Sequence, residues 1–187
     1  DGCPSRSFTD LNTGVWYHPY TDYVISHSLM RGLSSTLFAP NQSMTRGMMV
    51  TTLYRLAGEP QVEGTATFQD VKSSAYYANA VAWAEANGIA KGIDTGVFAP
   101  NAPVTREQAA AFAYRYVTAY LGKTPVPGAS LGGFQDAGLV SDYAAESLSW
   151  AHAAGLMVGY GDGFLGPKDT VTRAQMAKLL TLLAQNF

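Results

Sequence analysis

Arginine follows threonine three times, at Thr45-Arg46, Thr105-Arg106 and Thr172-Arg173, with spacings of 60 and then 67 residues. Threonine is a good helix N-cap, because its hydroxyl accepts from an otherwise unpaired backbone N–H. An arginine in the first turn then sits beside the remaining unpaired N–H groups and the positive end of the helix dipole, a setting suited to an anion. Its guanidinium can grip a carboxylate through two parallel hydrogen bonds. The chemistry this pattern predicts is carboxylate binding, with no bond made or broken. Upstream, Arg31-Gly32, Lys91-Gly92 and Val158-Gly159 recur at the same spacings. Two of them add a cation, and each glycine either admits close approach of a ligand or serves only a turn. Tyr23, Trp83 and Trp150 also share one register; they offer an apolar face to a ligand ring or pack into a core. Asp10, Asp70 and Asp136 recur as well. They are alternative partners for the arginines, or caps for the turn or helix that follows.

Three copies of one supersecondary unit must position these residues. Phe8-Thr9-Asp10, Phe68-Gln69-Asp70 and Phe134-Gln135-Asp136 open the copies. Phe38-Ala39-Pro40, Phe98-Ala99-Pro100 and Leu165-Gly166-Pro167 lie mid-copy. The third copy carries one extra residue ahead of Tyr143. Self-similarity on this scale means stacked units sharing a core, here 1–60, 61–124 and 125–187. Each unit reads as helix, irregular loop, helix. The first helix has an apolar stripe at Trp16, Tyr20, Tyr23, Val24; at Tyr76, Ala80, Trp83, Ala84; and at Tyr143, Ser147, Trp150, Ala151. Gly88 and Gly155 are expected to end it in a left-handed cap, with Ser28 at that place in the first copy. The second helix starts at Thr45, Thr105 and Thr172; Gln108 and Gln175 complete capping boxes, whereas Met48 does not. Its stripe reads Met49, Thr52, Leu53, Leu56; Ala109, Phe112, Ala113, Tyr116; Met176, Leu179, Leu180, Leu183. The expected architecture is all-α with irregular loops, a core of the three second helices with the first helices outside.

Composition excludes several classes. The chain has 187 residues, 47% hydrophobic, 14% charged and a net charge of −2. That is globular, with no basic run for nucleic acid and no apolar run long enough to span a bilayer. The opening Asp1-Gly2-Cys3-Pro4 is no signal peptide, and the chain reads as a mature fragment of something longer. One cysteine, Cys3, cannot form an internal disulfide, and on that count zinc and CxxC redox chemistry are excluded. His18, His27 and His152 do not recur and lack metal-ligand spacing. Together with the absence of a Gly-x-Ser-x-Gly elbow, this argues against an enzyme, and no metal or cofactor is expected.

The repeated pattern resembles the S-layer homology (SLH) domain. The second copy carries the likeness best, in Phe68-Gln69-Asp70, Trp83, Gly88-Ile89-Ala90-Lys91-Gly92, Val97-Phe98-Ala99-Pro100 and Val104-Thr105-Arg106-Glu107-Gln108. The resemblance covers nearly the whole chain. It implies a pseudo-threefold, spindle-like helical bundle that anchors a surface protein non-covalently to secondary cell-wall polysaccharide, often pyruvylated, outside a Gram-positive cell. The family's Thr-Arg-Ala-Glu binding element carries over at Arg46, Arg106 and Arg173, but its last residue is Met48, Gln108 or Gln175 here. A pyruvyl ketal presents one carboxylate on a sugar, which suits those arginines. Binding is expected in grooves between repeats, tighter where Arg31 and Lys91 stand than near Val158, and multivalent along one polymer. Arg106→Ala is expected to weaken wall binding and leave the fold intact. The isolated fragment is expected to be a monomer. The competing reading is a protein–protein self-assembly module of a surface layer without glycan binding; a peptidoglycan-linked or otherwise acidic glycan is a further partner class.

Overall fold

The computed structural model describes residues 2–187. Among the described residues six α-helices carry the fold: α1 (His18–Ser26), α2 (Arg46–Leu56), α3 (Ala78–Ala86), α4 (Arg106–Arg115), α5 (Ala145–Ala153) and α6 (Arg173–Asn186). A 3-10 turn, Pro4–Ser7, precedes α1, two more, Ala137–Leu139 and Asp142–Ala144, precede α5, and a π turn, Tyr116–Tyr120, extends α4. Among the described residues there is no strand, only isolated bridges between loops.

The second helices start where the sequence predicts. Thr45, Thr105 and Thr172 each accept from the N–H three residues on, and Gln108 and Gln175 close capping boxes. The predicted stripes of α2, α4 and α6 are buried, apart from the half-buried Leu56. The first helices start later than their apolar pattern suggests. Trp16, Tyr76 and Tyr143 precede α1, α3 and α5 and are 57%, 64% and 56% exposed. At the other end Gly88 and Gly155 do adopt left-handed conformation, with φ of 71° and 75°, and Ser28 adopts it too, at 57°. A side chain there costs strain that the glycines avoid.

Helices pair between repeats: α3 packs on α2, α5 on α4, and α1 on α6. The first and last helices of the three-repeat array are therefore partners, and the array closes on itself. A circuit of backbone bonds marks the closure. Met44 N–H donates to Val171 O (2.8 Å), Val171 N–H to Val104 O (3.0 Å) and Val104 N–H to Met44 O (3.0 Å). One hydrophobic core runs through all three repeats. Phe38, Phe98 and Leu165 plug the mid-repeat loops into it with no exposed surface.

Candidate functional site: three cationic grooves between repeats

Each loop is first tied to its own repeat. Asp10 accepts from Phe38 N–H and Ala39 N–H at 2.9 and 2.6 Å; Asp70 takes Phe98 and Ala99, and Asp136 takes Leu165 and Gly166, in the same way. The aspartates thus cap a corner about thirty residues downstream, neither the adjacent turn nor the arginines. Ala39 and Ala99 sit at that corner with φ of 58° and 59°. The glycines Gly32, Gly92 and Gly159 are set by packing. A Cβ on Gly92 would lie 2.4 Å from Val97 O and 3.1 Å from the Phe68 ring, and on Gly32 2.3 Å from the Phe8 ring. Their reason is loop closure against the opening phenylalanine, whatever else approaches them.

Each loop then receives the arginine of the preceding repeat. Arg46 Nε donates to Phe98 O (2.8 Å) and its Nη2 to Lys91 O (3.3 Å). Arg106 Nε donates to Leu165 O (3.0 Å) and its Nη2 to Val158 O. Arg173 Nε donates to Phe38 O (2.7 Å) and its Nη2 to Arg31 O, so the third repeat returns to the first. The guanidinium carbons lie 4.7–4.8 Å over the rings of Phe98, Tyr160 and Phe38. The three arginines are 4%, 4% and 6% exposed. Burial, the largest influence on each, pulls them below the ordinary arginine value. None forms an ion pair among the described residues. Nη1 makes no hydrogen bond within the described protein, is not among the buried unpartnered atoms, and belongs to a residue lining a groove.

The first-turn amides are not free, contrary to the helix-terminus reading. Arg46 and Gly47 N–H donate to Ala102 and Pro100 carbonyls, Arg106 and Glu107 to Asp169 and Pro167, and Arg173 and Ala174 to Gln42 and Pro40. The next repeat's loop consumes them. Any anion held here depends on side chains.

All three repeats meet in every groove. The first groove, about 270 Å³, has Arg31, Gly32 and Leu33 from its loop, Arg55 from α2, Arg173 beneath and Tyr76 from the following repeat. The second, about 500 Å³, has Lys91, Gly92 and Ile93, Arg115 from α4, Arg46 and Tyr143, with Lys168 beside Glu107. The third, about 270 Å³, has Val158, Gly159 and Tyr160, Lys178 from α6, Arg106 and Trp16. Nine of the chain's twelve lysines and arginines therefore line grooves. The single lining carboxylate among the described residues, Glu107, is 2% exposed and already bonded to Lys168 and to Ser141 N–H and Oγ. Another concavity, about 520 Å³, lies beneath the 125–132 linker against Tyr114 and Trp150. It has no cation, so it does not suit an anion.

The predicted aromatics fare differently. Trp83 and Trp150 are 3% exposed in the core, wedged against Tyr54 and Tyr120 and against Tyr114 and Phe187. Tyr23 is half-buried and stacks on His27. None lines a groove. The exposed aromatics that recur in all three grooves are Trp16, Tyr76 and Tyr143, which sequence reasoning assigned to the apolar stripe; Tyr160 joins Trp16 in the third groove. Arg55, Arg115, Lys168 and Lys178 were also missed. The recurrence of Arg55 and Arg115 at the 60-residue spacing was a legible sign; Lys168 and Lys178 left none.

Comparison with known proteins accords with this architecture. The family described as S-layer homology domain matches residues 7–48, 67–110 and 133–177, more than half of the chain. An endoglucanase of Bacillus sp. (strain KSM-635) is 33% identical over 94% of this chain and 18% of its own length. A surface-layer 125 kDa protein of Lysinibacillus sphaericus is 30% identical over 87% of this chain and 14% of its own. The S-layer protein sap of Bacillus anthracis is 26% identical over 97% and 22%. This chain spans about a fifth or less of those relatives, and one module recurs beside very different partners. On its three tandem matches and its closed ring of helices, this chain belongs to the S-layer homology domain family.

Proposed function

We propose that the module holds its parent protein on the bacterial cell wall by binding an acidic glycan, a pyruvylated secondary wall polysaccharide, in the grooves between repeats. The family anchors surface-layer proteins and surface enzymes to the wall. One observation carries the glycan reading: a chain of net charge −2 gathers nine of its twelve cations into three grooves, with one carboxylate that is already paired. Each groove also has an exposed aromatic side chain in its lining: Trp16, Tyr76 or Tyr143. A sugar ring can stack on Trp16, Tyr76 or Tyr143 while its carboxylate meets Nη1 of the buried arginine and the flanking lysine or arginine. The buried arginine is already held by two loop carbonyls, so little side-chain freedom is lost on binding. Modest affinity per groove becomes firm retention when one polymer engages several.

Co-sedimentation with purified Gram-positive walls tests this. Binding should vanish when the secondary polysaccharide is stripped and when its pyruvyl groups are removed. Loss on stripping alone would keep the glycan and reject the carboxylate. No binding to any wall would favour a self-assembly module.

A further inference from the structure

The N-terminal strap brings the only cysteine against α1. Cys3 Sγ lies 3.1 Å from His18 Nε2 and 3.3 Å from Asp22 Oδ2, and His18 Nε2 lies 3.0 Å from the same Oδ2. Three ligand atoms of three kinds thus form one small triangle. His18 and Asp22 stand one turn apart on α1, so the helix fixes both. A second layer orients the carboxylate: Ser5 N–H and Oγ both donate to Asp22 Oδ1, at 2.8 and 2.6 Å, and Ser5 Oγ also bonds Thr21 Oγ1 at 2.9 Å. Ser5 and Thr21 are fully buried. Ser5 therefore holds Oδ1, which the thiol also approaches at 3.4 Å, while Oδ2 faces both the thiol and the imidazole.

We infer that Cys3, His18 and Asp22 form a binding site for a zinc-like divalent transition metal. Bond lengths of about 2.0–2.3 Å at tetrahedral angles separate neighbouring ligand atoms by about 3.4–3.6 Å. The observed edges are a few tenths of an ångström shorter, as expected where hydrogen bonds span the same triangle. The donors are one thiolate, one imidazole and one carboxylate, which suits zinc and not calcium or magnesium. His18 and Asp22 side chains are 27% and 26% exposed, so water can supply the fourth ligand. A nucleophilic Cys–His–Asp relay does not fit. Thiol and carboxylate both converge on Nε2, whereas a relay needs them on opposite ring nitrogens. The site has no copy elsewhere: Ala78 and Ala145 take the place of His18, and Ala82 and Ser149 that of Asp22. Because α1 packs on α6, an ion here would fasten the strap to the helix that closes the ring. Sequence reasoning excluded zinc from the cysteine count alone, which does not cover a mixed donor set.

Cobalt(II) titration of the reduced protein tests the inference. One equivalent should produce tetrahedral d–d bands and a thiolate charge-transfer band, displaced by zinc and abolished by chelator. Cys3→Ala should remove the charge-transfer band, and Asp22→Asn, which still accepts from Ser5, should weaken binding. Ser5→Ala should weaken it by about 10–100-fold through loss of the orienting layer. Zinc should raise the melting temperature of wild type and not of Cys3→Ala. A featureless titration, or a spectrum unchanged by Cys3→Ala, would overturn the site.

Discussion

Replacing Arg106 by alanine should destabilise the whole ring, and the loss can be estimated from its contacts. The guanidinium is 4% exposed and donates to Leu165 O and Val158 O, both in the next repeat. Hydrogen bonds from a charged donor contribute about 1.5 kcal/mol each at the lower end of their range. Stacking over Tyr160 adds about 0.5–1 kcal/mol. Truncation also removes the cost of burying the charge, which offsets part of this. The net loss is about 3 kcal/mol, a melting temperature lower by about 6–12 °C in a chain of this size. Arg106→Lys keeps the charge but loses the two-pronged fork, and should fall between alanine and wild type. Differential scanning calorimetry reads both. An Arg106→Ala protein melting within about 2 °C of wild type would refute the idea that the arginines close the ring. The estimate also revises the sequence-based expectation that this variant keeps its fold undisturbed. Its wall binding is informative only at temperatures where calorimetry finds it folded.

Groove-wall substitutions separate binding from folding. Lys91→Ala and Tyr143→Ala remove exposed groups of the second groove and should lower wall binding several-fold with melting temperatures unchanged, in paired sedimentation and calorimetry. Acid should weaken the fold through its loop caps. Burial would raise the Asp70 carboxyl, but the Phe98 and Ala99 amides outweigh it and hold it below 3.8; the Leu165 amide foremost does so for Asp136. A depressed folded value means stability that is present above pH 3.8 and lost as pH falls through the lower folded value. Urea titrations from pH 7 to pH 2 should show that fall, and a smaller one in Asp70→Asn. Ser28→Gly should stabilise by about 0.5–1 kcal/mol, because Ser28 holds a φ of 57° where its counterparts are glycine; a lower urea midpoint would count against it.

The helices and their caps were legible because they are local. Thr105 with Gln108, or Leu179 with Leu183, carries its instruction within a few residues. Cyclic pairing was not legible, since nothing near α1 says that its neighbour is α6, about 150 residues away. The arginines were identified correctly as recurrent and placed wrongly in detail. Helix-terminus reasoning assumes open amides, and here the next repeat's Pro40, Pro100 and Pro167 carbonyls fill that place. The aromatic exchange has a similar cause. Trp83 and Tyr76 stand seven residues apart on one helical stripe, but the helix begins at Ala78, so Tyr76 leaves the stripe and faces the groove. Cys3, His18 and Asp22 were invisible as a group because a strap brings Cys3 back to α1.

Binding of the wall's acidic glycan in the grooves would be visible residue by residue. Its most direct test is heteronuclear NMR titration of the folded module with purified pyruvylated polysaccharide fragments. Shifted amides should cluster at Gly32 and Leu33, Gly92 and Ile93, and Gly159 and Tyr160, near their groove cations, and depyruvylated fragments should leave them in place. Shifts confined to the 125–132 linker, or equal shifts with both fragments, would contradict it.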